Sequence, residues 1–234
     1  LAELRKLVVM NSQVGHIIDD AFEKLEKLTI LDLSSNKLSA LRSEMFLGLT
    51  TLTKLTLENN QIESIPPEMF TMLPMLEHLN LDFNDQLTLT ETTFEKISAN
   101  FIDFSCSNCN IQVLPTSSFA YMPALQTLRL NMNSFSRLEK KAFSSLPHLN
   151  ILEVDGCSIE HIEKESFAGL DNLKELKLGH NQLSEIPSDA FENVITLNKI
   201  DLQHNKLTNI PSNLLPWENV VSIDLSGNNW ICDC

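Results

Sequence analysis

The chain has little glycine, few aromatic rings other than phenylalanine, and few basic residues. Only 6 glycines, 2 tryptophans and 1 tyrosine occur in 234 residues, and 17 basic residues stand against 31 acidic ones, for a formal net charge of −14. Nucleic-acid binding needs clustered lysines and arginines that neutralise phosphates, so this balance argues against a nucleic-acid partner. It argues equally against an anionic membrane surface, and it favours a partner of basic or mixed charge.

Long apolar runs and the motifs of the common enzyme classes are also missing. No stretch approaches the roughly 18 consecutive apolar residues of a membrane-spanning helix, so we expect no direct membrane contact from this segment. There is no glycine-rich phosphate loop, no GxSxG, no HExxH and no zinc-deaminase motif. We therefore expect a protein that is not an enzyme, with no cofactor and no metal site.

What the sequence does have is a tandem repeat. Each unit begins with the pattern LxxLxLxxNxL, as in LTILDLSSNKL and LKELKLGHNQL, and most units continue with FxxL or a close variant. Successive units start 24 residues apart, except for one spacing of 25 and one of 23. The ten units, the last of them incomplete, start near Leu4, Leu28, Leu52, Leu76, Phe101, Leu125, Leu149, Leu173, Leu197 and Val220. Such a period is the signature of a solenoid.

The pattern predicts the path of the chain through each repeat. In LxL the two leucines are two residues apart, so both point to the same side of a short strand, the interior of the solenoid. We predict an α/β-type solenoid over residues 1–229. It forms a right-handed curved coil with a parallel β-sheet on the concave face and irregular or 3-10 segments on the convex face.

Two further registers support this architecture. The asparagine at the ninth position can satisfy backbone groups where the chain turns away from the strand, and so form a ladder along the stack. Its members are Asn36, Asn60, Asn84, Asn133, Asn181, Asn205 and Asn228. A phenylalanine row is expected to fill the convex half of the core, with members Phe22, Phe46, Phe70, Phe94, Phe119, Phe143, Phe167 and Phe191.

The pattern breaks at two kinds of position. The unit from Leu76 carries one extra residue, which predicts a bulge around Asp85 and Gln86. Cysteines replace the ladder asparagine at Cys109 and Cys157, which lie two strand spacings apart, too far for a disulfide. Cys106 and Cys109 form a CxxC whose two positions face the core. We expect structural thiols there, with a local disulfide or a metal site as alternatives.

Residues that alternate with the inward leucines point out from the concave sheet, and their identities do not repeat. They are the candidate ligand-binding residues: Asp32, Glu58, His78, Asp82, Phe83, Ile102, Asp103, Arg129, Met132, Glu153, Asp155 and Lys177. Phe83, Ile102 and Met132 are apolar and could form an anchor inside a polar edge. His180 and His204 share a column in adjacent repeats. They could sense pH or share a metal, but a solvated edge is the simpler interpretation.

The chain ends NNWICDC, where Trp230 stands in place of the usual leucine. With this ending, the sequence resembles animal extracellular leucine-rich-repeat proteins of the 24-residue subtype, the group of Slit, Toll-like receptor ectodomains, Trk-like receptors and insect immune proteins. In that family a CxC after such a turn opens a disulfide-bonded C-terminal cap. The resemblance therefore implies that residues 230–234 begin a cap, with Cys232 and Cys234 bonded to cysteines beyond the chain.

The resemblance implies an extracellular location, secreted or on a cell surface, in an oxidising compartment. Leu1–Leu7 has neither a methionine nor an apolar signal segment, so we expect a piece of a longer ectodomain. The lack of any Asn-x-Ser/Thr sequence weighs mildly against secretion, because it excludes N-linked glycans.

Two functional hypotheses follow. The first is a receptor ectodomain or secreted recognition protein, innate immune or neuronal and developmental, that binds a protein ligand on its concave face or lateral edge. The second is a structural or adhesive matrix protein that acts by self-association. Either allows a homodimer or a heterodimer.

Overall fold

A computed structural model describes residues 1–191, 194–215 and 217–231. Short strands and 3-10 helices, joined by turns, make up these ranges. The strands are β1 (Lys6–Val8), β2 (Ile30–Asp32), β3 (Lys54–Thr56), β4 (His78–Asn80), β5 (Asp103–Ser105), β6 (Thr127–Arg129), β7 (Arg137–Leu138), β8 (Ile151–Glu153), β9 (His161–Ile162), β10 (Glu175–Lys177), β11 (Lys199–Asp201) and β12 (Ser222–Asp224). The 3-10 helices are Ser43–Phe46, Pro67–Met72, Thr116–Tyr121 and Trp217–Asn219.

Ten of the strands form one parallel sheet, in the order β1-β2-β3-β4-β5-β6-β8-β10-β11-β12. Equivalent residues of consecutive repeats lie opposite each other: Leu31 faces Leu7 on one side and Leu55 on the other. The inward leucines therefore stack in columns, and Leu31 and Leu55 are fully buried. The predicted parallel-sheet solenoid is confirmed. A second pairing, of β7 with β9 on the far side of the turn, was not predicted.

The ladder asparagines join each repeat to the one before it. Asn181 Nδ2 donates to the carbonyls of Val154, at 2.9 Å, and Leu178, at 3.0 Å. Its Oδ1 accepts the N–H groups of Cys157 and Ile159, both at 2.9 Å. The other members, which likewise donate to both carbonyls and accept at least one amide, are Asn36, Asn60, Asn84, Asn133, Asn205 and Asn228.

The eight phenylalanines of the predicted row are all buried. From Phe119 to Phe191 their rings stack, with centroids 5.9, 6.3 and 4.7 Å apart along the row. Each aromatic side chain removes a large apolar area from water, so this row and the leucine columns together form a continuous core. The core fixes the backbone and leaves the outward side chains free to differ.

The structure corrects the prediction of free thiols at the CxxC. Cys106 and Cys109 are joined in a disulfide. Cys106 occupies the last inward position after β5 and Cys109 occupies the ladder position, and the turn between them brings their Cα atoms to 5.6 Å, within disulfide reach. Cys157 is a free, buried thiol, as expected. Its Sγ lies 3.0 Å from the Leu130 carbonyl and takes the place of an asparagine Nδ2.

The extra residue of the fourth repeat lies in an exposed turn at Asp85 and Gln86. The N–H of Leu87 donates to the Asn84 carbonyl at 3.0 Å, and Leu87 remains buried. In most other repeats, the amide two residues beyond the ladder position bonds the asparagine of the following repeat. Here the following repeat has Cys109, which offers no such acceptor, and the local turn replaces that bond.

Candidate binding face

Four outward columns run along the concave side, two on the strands and two just after them. Counting from the first residue of each repeat, positions 3 and 5 form what we call the strand columns, and positions 7 and 8 form the rim. Position 7 consists of Met10, Ser34, Glu58, Asp82, Ser107, Asn131, Asp155, Gly179, Gln203 and Ser226. Position 8 consists of Asn11, Ser35, Asn59, Phe83, Asn108, Met132, Gly156, His180, His204 and Gly227. All the candidate residues except Ile102, which lies at position 2, thus fall either in the strand columns or on the rim.

The strand columns carry a chain of alternating charges across five repeats, and the imidazole of His78 extends it to a sixth. Arg129 lies 2.7 Å from Asp103 and 3.9 Å from Glu153, and Lys177 lies 2.8 Å from Glu153. The remaining contacts extend the chain at both ends: His78 to Asp103 at 3.4 Å, Lys177 to Glu175 at 3.9 Å, and Lys199 to Glu175 at 3.8 Å. The structure therefore brings together five of the candidate residues as one compensated row.

Glu153 is the centre of this row. Burial is the largest single influence on its pKa and acts to raise it, but hydrogen bonds from Lys177 and Asn131 and the charges of Lys177 and Arg129 outweigh it. The pKa of Glu153 therefore lies below its ordinary value. The pKa of Lys177 is raised, chiefly by its hydrogen bond to Glu153. Both groups are held in their charged forms at neutral pH.

The rim carboxylates are in a different situation, because in the described ranges none of them forms an ion pair. Asp82 Oδ1 accepts the Ser107 N–H at 2.6 Å and the Ser105 hydroxyl at 2.7 Å. Glu58 Oε2 accepts Asn80 Nδ2 at 3.1 Å.

Asp155 is a partly buried rim carboxylate. Its Oδ1 accepts the Gly179 N–H at 2.7 Å. Its pKa is raised to about 6, first by burial and then by the nearby charges of Asp201 and Glu153, against the opposing effect of the Gly179 bond. The carboxylate of Asp32, on a strand column two repeats before His78, accepts hydrogen bonds from the N–H and the hydroxyl of Ser34 in its own turn.

Position 8 is left-handed in all ten repeats, with φ between +50° and +67°. Asparagine and glycine tolerate this conformation, whereas bulky side chains rarely adopt it. Phe83 and Met132 nevertheless occupy it, both with φ of +58°, and they are 51% and 65% exposed. Met132 lies across Gly156, where a Cβ atom would come within 2.8 Å of its Sδ.

Ile102 does not join these two side chains. It precedes β5, in register with Glu77, whereas Phe83 follows β4 by three residues. The three predicted anchor residues therefore lie at opposite ends of the strands, and of the three only Phe83 and Met132 belong to the rim.

His180 and His204 stack face to face, with ring centroids 4.6 Å apart. Within the described ranges, no three histidine, cysteine or acidic side chains are grouped closely enough to hold a metal ion. The helices described in these ranges are all short 3-10 turns, and none could span a lipid bilayer. Cys232 and Cys234, predicted to open a cap, lie outside the described residues.

A shallow depression of about 400 Å³ lies on the concave face over repeats 3 to 6, where the strand columns meet the rim. Its ionisable lining residues are Lys54, Glu58, His78, Asp82, Asp103 and Arg129. Sequence reasoning identified most of these residues but not their pairing. The pairing could have been predicted from the sequence, because the charges of Arg129, Glu153 and Lys177 alternate in sign at one position of successive repeats.

Comparison with known proteins decides the family. The sequence profile described as "Leucine rich repeat" matches residues 2–62, 36–85, 105–159, 147–207 and 172–230. The chain belongs to the leucine-rich repeat family. Among curated proteins, this leucine-rich repeat chain is 29% identical over 139 residues to keratocan of Gallus gallus and of Coturnix japonica, covering 57% of the chain and 30% of each relative.

Solved structures share the fold of the leucine-rich repeat chain. A chain of the Drosophila Toll–Spätzle complex superposes with a TM-score of 0.77 at 23% identity, covering 91% of this chain and 31% of that one. A chain of the TLR13–ssRNA13 complex superposes with a TM-score of 0.82 at 24% identity, covering 93% and 35%. The resemblance to animal extracellular leucine-rich-repeat proteins is confirmed, and the chain spans about a third of the length of each relative.

Proposed function

We propose that this chain is a protein-binding part of an extracellular receptor or secreted recognition protein, and that it acts without catalysis or a cofactor. The observation that carries the proposal is the contrast between the two sides of the sheet. The inward columns repeat leucine after leucine, whereas the strand columns and the rim change identity at nearly every repeat. Such a surface is built on a rigid scaffold and can be specific for one partner.

Electrostatics supports a protein partner over a nucleic acid. Binding phosphates would need a run of unpaired cations. On the concave face, Arg129 and Lys177 are already bonded to carboxylates, and the rim carries carboxylates and no lysine or arginine. One structural neighbour, TLR13, is in complex with single-stranded RNA, but the charge of this chain supports a basic or mixed-charge protein instead.

The test is a binding screen followed by matched charge reversals. The chain, fused to an antibody Fc, is assayed against an array of secreted and cell-surface proteins, and each binder is measured by surface plasmon resonance. Arg129→Glu on the concave face is expected to weaken binding by about tenfold or more, because it also breaks the row of paired charges. Lys164→Glu is the control, because it reverses one ion-paired cation outside the four columns.

Three outcomes decide the proposal. Binding that is lost with the concave variant and kept with the control supports it. No binder in the array, or binders sensitive only to the control variant, would overturn it. A stable dimer of the free chain in light scattering, disrupted by the concave variant, would favour the adhesive alternative instead.

A further inference from the structure

The rim offers apolar side chains that the fold itself does not need. Phe83 and Met132 are largely exposed, so neither contributes a full side chain to the core. Both occupy a left-handed position that is unfavourable for bulky residues and that carries asparagine, serine, histidine or glycine in the other repeats. Local stability would favour those smaller or polar residues. A contact with something outside the chain gives a reason for the phenylalanine and the methionine.

Carboxylates flank these two side chains. Glu58 and Asp82 lie beside Phe83 on the rim, and Asp155 directly precedes the Gly156 on which Met132 rests. Asp32, Asp201 and Asp224 likewise lack an ion pair in the described ranges, but each bonds its own turn on a strand column. On the strand columns, Asp32 lies opposite Val8, which is 43% exposed. On the rim, three carboxylates without an ion pair in the described ranges flank two exposed apolar side chains.

Hydrogen bonds within the fold also hold the rim carboxylates in one orientation before any partner binds. Asp82 and Asp155 each use Oδ1 to accept a backbone N–H of the following repeat, and Glu58 uses Oε2 to accept Asn80. In each case the second oxygen has no partner in the described part of the chain. A lysine or arginine could therefore bond a carboxylate that is already fixed, so little side-chain entropy would be lost on binding.

We propose that Glu58, Asp82, Phe83, Met132 and Asp155, the rim patch, dock a segment of a partner protein whose apolar side chains alternate with lysines or arginines. This inference rests on the proposed function and names the chemistry of the partner. The patch extends over repeats 3 to 7, a distance of about 19 Å at the usual strand spacing. About 6 residues of extended chain span that length. The charge of the patch excludes an acidic segment.

The experiment selects peptides without assuming their composition. A phage-displayed library of random peptides, each of about ten residues so that it exceeds the patch length, is selected on the immobilised chain. Enriched peptides are synthesised, and their Kd is measured by fluorescence anisotropy at low and high salt. Peptides rich in Lys or Arg and in apolar residues, bound more weakly at high salt, are the expected result.

Two sets of variants locate the binding. Phe83→Asn and Met132→Gly, combined, remove the apolar groups, and Ile195→Asn removes an equally exposed apolar group elsewhere. Glu58→Gln with Asp82→Asn removes two charges while keeping both hydrogen-bond acceptors. Its control is Glu160→Gln with Glu185→Gln, at exposed positions off the rim.

Each rim set should raise Kd by about tenfold or more, and each control should leave it unchanged. The apolar set should not lower the melting temperature, because its replacements suit a left-handed backbone. Loss of binding with loss of stability would mean that Phe83 and Met132 serve the fold, and would overturn the inference. Acidic peptides, or peptides insensitive to the rim variants, would overturn it as well. If the protein array yields binders that depend on Arg129 but not on the rim, the inference fails while the proposed function stands.

Discussion

The backbone N–H of Gly179 donates a 2.7 Å hydrogen bond to Oδ1 of Asp155, which occupies the same position one repeat earlier. The N–H of Asp155 is bonded in the same way, at 2.9 Å, by Oδ1 of Asn131. At these positions the side chain satisfies an amide of the next repeat, where the strand has ended and the sheet no longer pairs it. In other repeats a position-5 side chain of the same repeat bonds that amide, as Asp201 does for Gln203. Some acidic side chains of the concave side, such as Asp155, therefore help to hold the fold together.

Asp155→Asn should stabilise the protein at neutral pH. Asparagine keeps the acceptor for Gly179, as Asn131 shows, and removes a charge that burial disfavours. The folded pKa of about 6 lies above the ordinary value of 3.8, so wild-type stability falls as pH rises from about 3.8 to about 6 and stays lowered above that range. Allowing for partial solvent exposure, we expect a gain of about 1 kcal/mol at pH 7.

Urea unfolding of both proteins from pH 4 to pH 8 measures this difference. Freshly purified protein is needed, because an asparagine before Gly156 deamidates. The gap in unfolding free energy should open between pH 4 and pH 6 and remain constant above. A gap independent of pH would show that the Asp155 carboxylate does not titrate as described.

Most of the fold could be predicted from the sequence, because each inward residue has the same role in every repeat. Leu31 and Leu55 stack because they occur at one register, and Asn181 bonds its neighbours because its amide must face the same turn. The site was predicted less well. Which acid pairs with which base depends on side-chain lengths across neighbouring strands, so Asp103 and Asp155, both outward acids, have opposite surroundings: an ion pair in one case and a backbone amide in the other.

The left-handed backbone at position 8 shows the same limit of prediction from sequence. The sequence shows asparagine, serine, histidine and glycine at position 8, which is the composition such a backbone favours. Phe83 and Met132 break that pattern, so sequence alone cannot assign them a conformation. Their φ of +58° is imposed by the repeats on either side, which overrule the local preference of a bulky side chain.

Asn181→Ala should be strongly destabilising. It leaves the buried N–H groups of Cys157 and Ile159 and the carbonyl of Val154 without their side-chain partner, and each unsatisfied buried group costs about 1 to 3 kcal/mol. We expect a loss of about 3 kcal/mol or more in urea unfolding. Gln182→Ala, which removes an exposed amide one residue later, should change stability by less than about 0.5 kcal/mol. Equal effects would mean that the ladder bonds contribute nothing specific.

The three described cysteines should differ in their reaction with iodoacetamide. Native protein should label none of them, because all three are buried, and burial raises the pKa of Cys157 to about 12. In denaturant without reductant, Cys157 alone of these three should react. The tryptic peptide that holds Cys106 and Cys109 should then be lighter by two hydrogen atoms than its reduced form. Labelling of Cys106 or Cys109 before reduction would contradict the disulfide.

The ion pair of Glu153 and Lys177 should stabilise the fold measurably, unlike an exposed pair. Its atoms are 2.8 Å apart, and the Glu153 side chain is only 13% exposed. A double-mutant cycle with Glu153→Gln and Lys177→Met should give a coupling energy of about 1 kcal/mol at pH 7. The same cycle on Arg137 and Glu163, 3.3 Å apart with both side chains more than 40% exposed, should give a coupling near zero.

The pH dependence of this coupling has the opposite sign to that of Asp155. Because the folded pKa of Glu153 lies below its ordinary value of 4.5, the stabilisation is complete above that value and is lost as pH falls through the folded pKa. Repeating the cycle at pH 3 should therefore reduce the coupling, while Asp155, protonated there in both states, no longer disfavours folding. A coupling that persisted unchanged in acid would show that packing of the Lys177 stem, and not charge, joins the two residues.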